Sequence, residues 1–205
     1  IVEFFMKLRG NKKIDFNECS NSYTLFHEAC ASGNIEVVKL FLKHAKKLRI
    51  DLNARNLELL GPPSARKTPF KIAVKRSKKD VVKLLLSDNR IDVSNVNEYD
   101  NSVLFQSLKI IKKNNTDCKM ALFHHDKKQD EIFTMLVNSP RIPLEDCYNG
   151  ETIFHAVFEM KDANKTEVLL KEAIKRNIAS SLSVTKNNYG WTAIHCAFKY
   201  DLADG

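Results

Sequence analysis

The chain has 205 residues, 43% of them hydrophobic and 28% charged, which permits a buried core and excludes a disordered tail or a Pro- and Gly-rich chain. Its longest stretch without Asp, Glu, Lys or Arg is the twelve residues from Asn187 to Phe198, shorter than the roughly 18 apolar residues that a membrane-spanning helix needs. The net charge is +8, but residues 43–79 hold twelve basic and two acidic residues, so this basic block carries +10 and the remainder −2.

A seven-residue motif recurs five times, beginning each time with Thr or Ser and continuing with mostly apolar residues. The copies are Thr24–Cys30, Thr68–Val74, Ser102–Leu108, Thr152–Phe158 and Thr192–Phe198, and their starts lie 44, 34, 50 and 40 residues apart. A hydroxyl before an apolar run is typical of a helix N-cap, because it accepts a hydrogen bond from an unpaired backbone N–H of the first turn. The motif therefore predicts five short helices.

A second apolar block follows four of the motifs, at Glu36–Leu42, Asp80–Leu86, Glu131–Val137 and Glu167–Leu170. Its spacing predicts a second helix with a wide buried stripe. An extended element then closes three of the repeats, at Ile50–Asn53, Ile91–Ser94 and Ile142–Glu145. Because one helix pair cannot bury its own apolar side, neighbouring pairs must stack. We expect core positions for Phe26, Phe41, Phe70, Phe154 and Phe198.

This order of motifs resembles the ankyrin repeat family, whose unit of about 33 residues carries a T-P-L-H-x-A block. The resemblance implies an all-α solenoid of stacked helix-turn-helix repeats with β-hairpin-type connectors, here called fingers. We predict a single domain over residues 1–205, with a partial repeat at 1–19, repeats at about 20–63, 64–97, 98–147 and 148–187, and a truncated repeat at 188–205. An insertion is predicted at about 109–130.

The chain shows no motif that indicates catalysis or a cofactor. The resemblance implies that the motif histidines His27, His155 and His195 are structural, bonding the neighbouring loop and helping the Thr to close its turn. Cys118 with His124 and His125 lacks the ligand spacing of a zinc site. The six glycines are isolated, so no glycine-rich loop can cradle a phosphate, and no nucleophile elbow or kinase-type loop is present. We therefore expect no enzyme, no cofactor and no metal.

The resemblance implies a concave binding face made by the fingers and by the ends of the first helices. All five tyrosines and the only tryptophan fall in or beside these positions, and such residues often dominate the binding energy of interfaces. Part of the basic block falls there too, where Arg76 can pair with a carboxylate. The predicted partner-binding residues are Tyr23, Lys67, Lys75, Arg76, Tyr99, Lys109, Tyr148, Tyr189, Trp191 and Tyr200.

The sequence thus predicts a module that binds a protein or peptide, acidic where it meets the basic block. Two alternatives stay open: a nucleic-acid-associated module that uses residues 43–79, and an intramolecular docking or regulatory domain of a larger enzyme or channel. The five widely spaced cysteines favour free thiols in a reducing compartment, hence an intracellular location, cytoplasmic or nuclear. A chain that begins at Ile1 without Met and stops just after a motif is expected to be a piece of a longer protein.

Overall fold

A computed structural model describes residues 15–57, 66–93, 102–108, 127–148 and 150–201. The chain divides into two compact units, Ile1–Val93 and Ser94–Gly205, called the first and second unit below. The predicted partial repeat at 1–19 is described only from Asp15 onward. Of the insertion predicted at about 109–130, only Lys127 and the residues after it are described, and these already belong to a helix. The predicted repeat boundaries stay predictions.

The described residues form ten helices and one two-stranded hairpin. In chain order these are α1 (Leu25–Ser32), α2 (Ile35–Leu48), α3 (Pro69–Lys75), α4 (Lys79–Ser87), α5 (Val103–Ser107), α6 (Lys127–Val137), β1 (Cys147–Tyr148), β2 (Glu151–Thr152), α7 (Ile153–Glu159), α8 (Ala163–Lys175), α9 (Ser181–Val184) and α10 (Ala193–Asp201). Each of the five motifs begins a helix, and each of the four second blocks lies in the helix that follows.

The helices of each unit stack in two layers. In the first unit the first helices α1 and α3 pack on each other, as do the second helices α2 and α4. In the second unit α7 contacts both α5 and α10, α6 packs on α8, and the short α9 contacts α10. The prediction of an all-α fold built from stacked helix pairs with hairpin connectors is confirmed.

The predicted caps are present at the helix starts. The hydroxyl oxygens of Thr24 and Thr68 each accept from the backbone N–H three residues later, at 3.4 Å, and that of Ser102 accepts from Leu104 N–H at 3.2 Å. Second helices use Asx caps instead, because Asn34 accepts from Val37 N–H at 3.2 Å and Asp162 from Lys165 N–H at 3.0 Å. Each cap satisfies a donor that the first helical turn leaves unpaired.

Four of the five phenylalanines assigned to the core are buried, namely Phe26, Phe41, Phe70 and Phe154. The assignment of Phe198 is wrong, because its side chain is 67% exposed on α10. In the described part of the chain no further first helix follows α10, so this side of the helix has nothing to pack against. In its local sequence Phe198 resembles the buried phenylalanines of the earlier first helices. Its burial, however, depends on a further first helix packing against α10.

No helix among the described residues is long and apolar enough to cross a membrane.

Candidate partner-binding surfaces

Two fingers of the first unit precede the motif threonines Thr24 and Thr68. Ser20 and Tyr23 exchange backbone hydrogen bonds of 2.9 and 3.1 Å, and the two residues between them, Asn21 and Ser22, both have positive φ. Positive φ at both central residues gives the turn a twist that suits a tight hairpin. In the second finger Asn56 N–H donates to the Lys67 carbonyl at 3.1 Å, and the Asn56 side chain accepts from Lys67 N–H.

Two further fingers precede Thr152 and Thr192 in the second unit. In one, β1 pairs antiparallel with β2 around Gly150, whose φ is 74°. In the other, Asn187 N–H donates to the Trp191 carbonyl at 2.8 Å, and the Asn187 side chain accepts from Tyr189 N–H and Trp191 N–H, each at 3.0 Å. The local hydrogen bonds of Asn187 therefore fix where Tyr189 and Trp191 stand.

Two of the three motif histidines, His27 and His155, connect their first helix to the finger before a later first helix. His27 Nδ1 lies 2.8 Å from the Thr24 hydroxyl and accepts from Thr24 N–H at 3.3 Å, while Nε2 lies 3.0 Å from the Lys67 carbonyl. His155 repeats this geometry with Thr152 at 2.8 and 3.2 Å and with the Trp191 carbonyl at 3.0 Å. The structural role that the resemblance implies is present in both residues.

These partners determine which ring nitrogen of His27 carries the proton. The Thr24 backbone N–H can only donate, so Nδ1 accepts, and the Lys67 carbonyl can only accept, so Nε2 donates. Burial lowers the pKa of His27, and the hydrogen bonds to the backbone of Lys67 and Ala54 oppose this shift without reversing it. The neutral ring is therefore the folded form, which suits a structural bridge.

The predicted binding residues of the first unit lie at two places. Tyr23 is half-buried on its finger, with its ring centroid 5.7 Å from that of His27. Lys67 is half-buried, and its backbone holds the second finger and the His27 ring. Lys75 ends α3 and Arg76 follows it, both exposed. The last turn of α3 therefore presents two adjacent cations to solvent.

The predicted residues of the second unit centre on its last finger. Tyr189 is 66% exposed, and Trp191 is half-buried. Lys199 of α10, which the sequence did not single out, places Nζ 3.9 Å from the centroid of the Trp191 ring, a cation–π contact. Its spacing from Trp191, eight residues on across a helix start, carries no recognisable signal. Tyr148 lies in β1 and Tyr200 in α10, whereas Tyr99 and Lys109 fall outside the described residues.

The sequence analysis also missed an asparagine bridge between the extended elements that close successive repeats, which we call connectors from here on. Asn17 donates to the Arg49 carbonyl at 2.8 Å and accepts from Asp51 N–H at 2.8 Å. Asn53 repeats the pair one connector later, with the Arg90 carbonyl at 2.9 Å and Asp92 N–H at 2.8 Å. The recurring Ile-Asp-x-Asn motif was the sequence signal that could have predicted this bridge.

The second helices α6 and α8 are joined by a different pair of side chains. Lys165 Nζ lies 2.6 Å from both the Asp130 and the Asp162 carboxylates. Burial lowers the pKa of Lys165, but its hydrogen bonds to the two aspartates, together with the attraction of their charges, outweigh burial and raise the pKa above its ordinary value. Arg176 donates to the carbonyl of Val137, the last residue of α6, at 2.6 Å and to that of Ser139 at 2.8 Å.

The described residues hold no group of three or more His, Cys, Asp or Glu side chains that could bind a metal. Cys19, Cys30, Cys147 and Cys196 are free thiols, and burial raises the pKa of the Cys30 thiol. A buried thiol with a raised pKa is a poor nucleophile, because the thiolate is the reactive form. Cys118, His124 and His125 lie outside the described residues.

Comparisons with known proteins agree with this geometry. Residues 1–99 match the sequence profile described as ankyrin repeats (3 copies). A chain in the solved structure of the predatory endopeptidase Bd0816 from Bdellovibrio bacteriovorus in complex with the immunity protein Bd3460 shares the fold, with a TM-score of 0.57 and 20% identity over 97% of this chain and 86% of that one. A search of curated proteins found no match. Ankyrin repeats generally mediate protein–protein interaction. Residues 1–99 therefore consist of ankyrin repeats, and the caps, fingers and bridging histidine of the second unit continue the same architecture.

Proposed function

We propose that the chain is a non-enzymatic, intracellular module of a larger protein that binds a partner protein or peptide through its fingers and the ends of its first helices. We name two finger-side surfaces, one in each unit: Tyr23, Lys75 and Arg76 in the first unit, and Tyr189, Trp191 and Lys199 in the second. The observation that carries the proposal is Tyr189, an aromatic side chain held at a finger by Asn187 and yet 66% exposed. Such a side chain offers a large contact area at low cost in entropy.

The finger-side surface of the first unit carries charge of one sign. Lys75 and Arg76 are both exposed at the end of α3. A guanidinium can bind a carboxylate with two parallel hydrogen bonds, and a neighbouring ammonium adds a second attraction. An acidic segment of the partner is therefore the chemistry that fits the first unit.

The second unit adds an apolar anchor beside a cation. The Trp191 ring is half-buried under Lys199 Nζ at 3.9 Å, next to exposed Tyr189. Aromatic residues beside cations are the composition that interface hot spots favour. A chain with the same fold occurs in a two-protein complex, which supports the proposal of a protein partner.

The test is capture of cross-linked partners from cell extract by the purified chain, by two test variants and by one control variant. Lys75→Glu/Arg76→Glu and Tyr189→Ser should each lower recovery of the partner about tenfold, since each removes a hot-spot type of contact. Lys43→Glu/Lys83→Glu makes the same charge change at exposed residues of the second helices α2 and α4, and should leave recovery unchanged. Equal recovery with all three variants would contradict the proposal, and cross-links to the parent polypeptide would indicate intramolecular docking.

Nucleic-acid binding is the competing function, and exposed Lys43, Lys46 and Lys47 near the end of α2 are the observation that favours it. Binding to the phosphates of a nucleic acid weakens steeply as the salt concentration rises, because binding releases cations condensed on the nucleic acid. Titration of the chain with DNA and with RNA at low and at physiological salt separates the two. We expect no binding to survive at physiological salt, and tight binding that Lys43→Glu/Lys83→Glu abolishes would replace our proposal.

A further inference from the structure

The second helices of the first unit carry lysines on the side that faces away from the core. The core side of α2 is formed by apolar residues that are at most 7% exposed, namely Val38, Phe41, Leu42, Ala45 and Leu48. Residues three and four apart share one side of a helix, and the lysines of α2 follow this spacing. Six lysines are exposed in this way, and we name them the lysine face: Lys39, Lys43, Lys46 and Lys47 on α2, and Lys79 and Lys83 on α4.

The two helices join these lysines into one surface. Helices α2 and α4 pack on each other, and Lys39 and Lys83 hold the same position in the similar stretches Glu36–Leu40 and Asp80–Leu84. At a rise of about 1.5 Å per residue the lysines of α2 extend over about 12 Å, and packed helices lie roughly 8–10 Å apart. The lysine face therefore measures roughly 10 Å in both directions.

Three of the six lysines have no partner to neutralise them. Lys39 Nζ lies 2.8 Å from the Glu36 carboxylate. By contrast, Lys43, Lys46 and Lys83 make no ion pair or hydrogen bond in the described part of the chain. Their charge is therefore available to a ligand.

The helix dipole explains only part of this charge. Cations stabilise the last turn of a helix, where unpaired carbonyls point outward, and two lysines of the face lie in the last turn of α2. Lys43 and Lys83, however, lie in the middle of their helices. No acidic residue follows Glu36 in α2 or Asp80 in α4, so the positive charge extends along both helices.

The chemistry of these side chains suits a diffuse negative charge. An ammonium group is a point charge on a flexible stem, whereas arginine recognises a phosphate or carboxylate in a fixed geometry. Helices α2 and α4 expose no Arg, Phe, Tyr or Trp. Arginine and aromatic side chains are the ones that read bases and stack on them. The lysine face is therefore better suited to a layer of negative charge than to a nucleic acid.

We propose that the lysine face binds the surface of an anionic lipid bilayer. The cytoplasmic leaflet of a membrane carries anionic headgroups that attract nearby lysines. Because this surface is a plane, lysines of both helices come within the Debye length of it together, about 8 Å at physiological salt. None of the large apolar side chains that are exposed in the described residues lies on α2 or α4. The attraction is therefore electrostatic and reversible, without insertion into the bilayer.

This proposal goes beyond the binding of a partner protein. The lysine face shares no residue with either finger-side surface, so each proposal can fail without the other.

Co-sedimentation of the purified chain with vesicles tests the proposal. We expect binding at physiological salt to vesicles of phosphatidylcholine and phosphatidylserine mixed about two to one, and none to phosphatidylcholine alone. Each lysine near an anionic leaflet raises affinity roughly fivefold, so Lys43→Ala/Lys46→Ala/Lys83→Ala should bind about a hundredfold more weakly. This variant should fold, because the three side chains have no partner to lose and alanine favours a helix.

Two control variants separate the lysine face from net charge and from lysine chemistry. Lys127→Ala/Lys171→Ala/Lys175→Ala removes the same charge from exposed residues of α6 and α8. It should change affinity less than about threefold, since Lys171 and Lys175 are already paired with glutamates. Lys43→Arg/Lys46→Arg/Lys83→Arg keeps the charge and should keep the binding.

Any of four results would overturn the proposal. The first is a wild-type chain that sediments equally with anionic and with neutral vesicles. The second is equal weakening by the two alanine variants, which would make net charge the cause. The third is an arginine variant that binds as weakly as Lys43→Ala/Lys46→Ala/Lys83→Ala. The fourth is displacement from the vesicles by duplex DNA or RNA at an equal concentration of phosphate, which would assign the lysine face to a nucleic acid.

Discussion

At the scale of single residues, His27 shows how one side chain serves two repeats. Its ring closes the cap with Thr24 on one side and holds the Lys67 carbonyl of the next finger on the other. The contact with Thr24 needs the neutral ring with its proton on Nε2, because a protonated Nδ1 would face the Thr24 N–H. The bridge is therefore sensitive to acid.

We expect acid to weaken the chain through His27. Since burial lowers the folded-state pKa of His27 below 6.5, the unfolded chain binds the proton more readily. The stability that the neutral ring contributes is thus complete above pH 6.5 and is lost as the pH falls toward the lowered folded pKa. Urea unfolding between pH 7.5 and 5 should show a steeper loss for the wild-type chain than for His27→Gln. Parallel curves for the two proteins would remove His27 as the cause.

The effect of the lost bridge itself is read at pH 7.5, where ring protonation plays no part. There His27→Gln should already cost about 2 kcal/mol, since a buried hydrogen-bonding group loses its partners.

Gly150 and Gly190 allow the cost of a close approach to be separated from the cost of backbone strain. Both have positive φ, at 74° and 76°, but a Cβ on Gly150 would lie 2.1 Å from the Asn188 side chain, whereas a Cβ on Gly190 meets nothing within 4 Å. Gly190→Ala should cost about 1 kcal/mol from strain alone. Gly150→Ala should cost about 1 kcal/mol more, because Asn188 must move. Chemical denaturation of the two variants measures the difference, and equal losses would mean that Asn188 gives way freely.

At the scale of elements, side-chain hydrogen bonds join the connectors of neighbouring repeats to each other, and likewise their second helices. In the first unit Asn17 and Asn53 each bridge to the following connector with one donated and one accepted bond. In the second unit Pro143 lacks the N–H that such a bridge would need. There Arg176 donates to carbonyls at the end of α6 and just after it.

Removing the Asn53 bridge should loosen the connector Ile50–Asn53 from the one after it. Asn53→Ala loses both bonds and should lower the free energy of unfolding by about 1–2 kcal/mol, since two modest net contributions disappear. Asn138→Ala, at an exposed asparagine after α6, is the matched control and should change it by less than about 0.5 kcal/mol. An Asn53→Ala variant as stable as Asn138→Ala would show that water replaces the bridge at no cost.

At the scale of the whole molecule, stability in a repeat protein comes from interfaces between neighbours, so a repeat covered on one side opens first. Helix α7 is covered by both α5 and α10, whereas α10 contacts α7 and α9. The equivalent residues Phe158 and Phe198 differ accordingly, at 9% and 67% exposed.

This difference predicts a gradient of protection within the second unit. Amides of Ile153–Glu159 should exchange more slowly than those of Ala193–Asp201. Phe158→Ala should cost about 3–5 kcal/mol, while Phe198→Ala should cost less than about 1 kcal/mol. Hydrogen exchange and denaturation measure both. Equal protection of the two helices would mean that something other than neighbour packing limits opening.

Local sequence determined much of this protein. The five motifs predict the first helices and the second blocks predict the helices after them, because caps and apolar spacing act within a few residues. The fingers before Thr24, Thr152 and Thr192 follow from turn-forming residues at their tips. Of the candidate site, Lys75, Arg76 and Tyr189 are exposed, and their role in binding stays a prediction.

Only the tertiary structure decided the contacts between repeats. His27 and Lys67 are 40 residues apart, Asn53 and Arg90 are 37 apart, and no local pattern states that they meet. The contact between Lys199 and the Trp191 ring depends on how the last finger is placed relative to α10. The sequence predicts a core position for Phe198, whereas the structure exposes it. The reason is that the apolar side of a repeat is buried by the neighbouring repeat and not by the repeat itself.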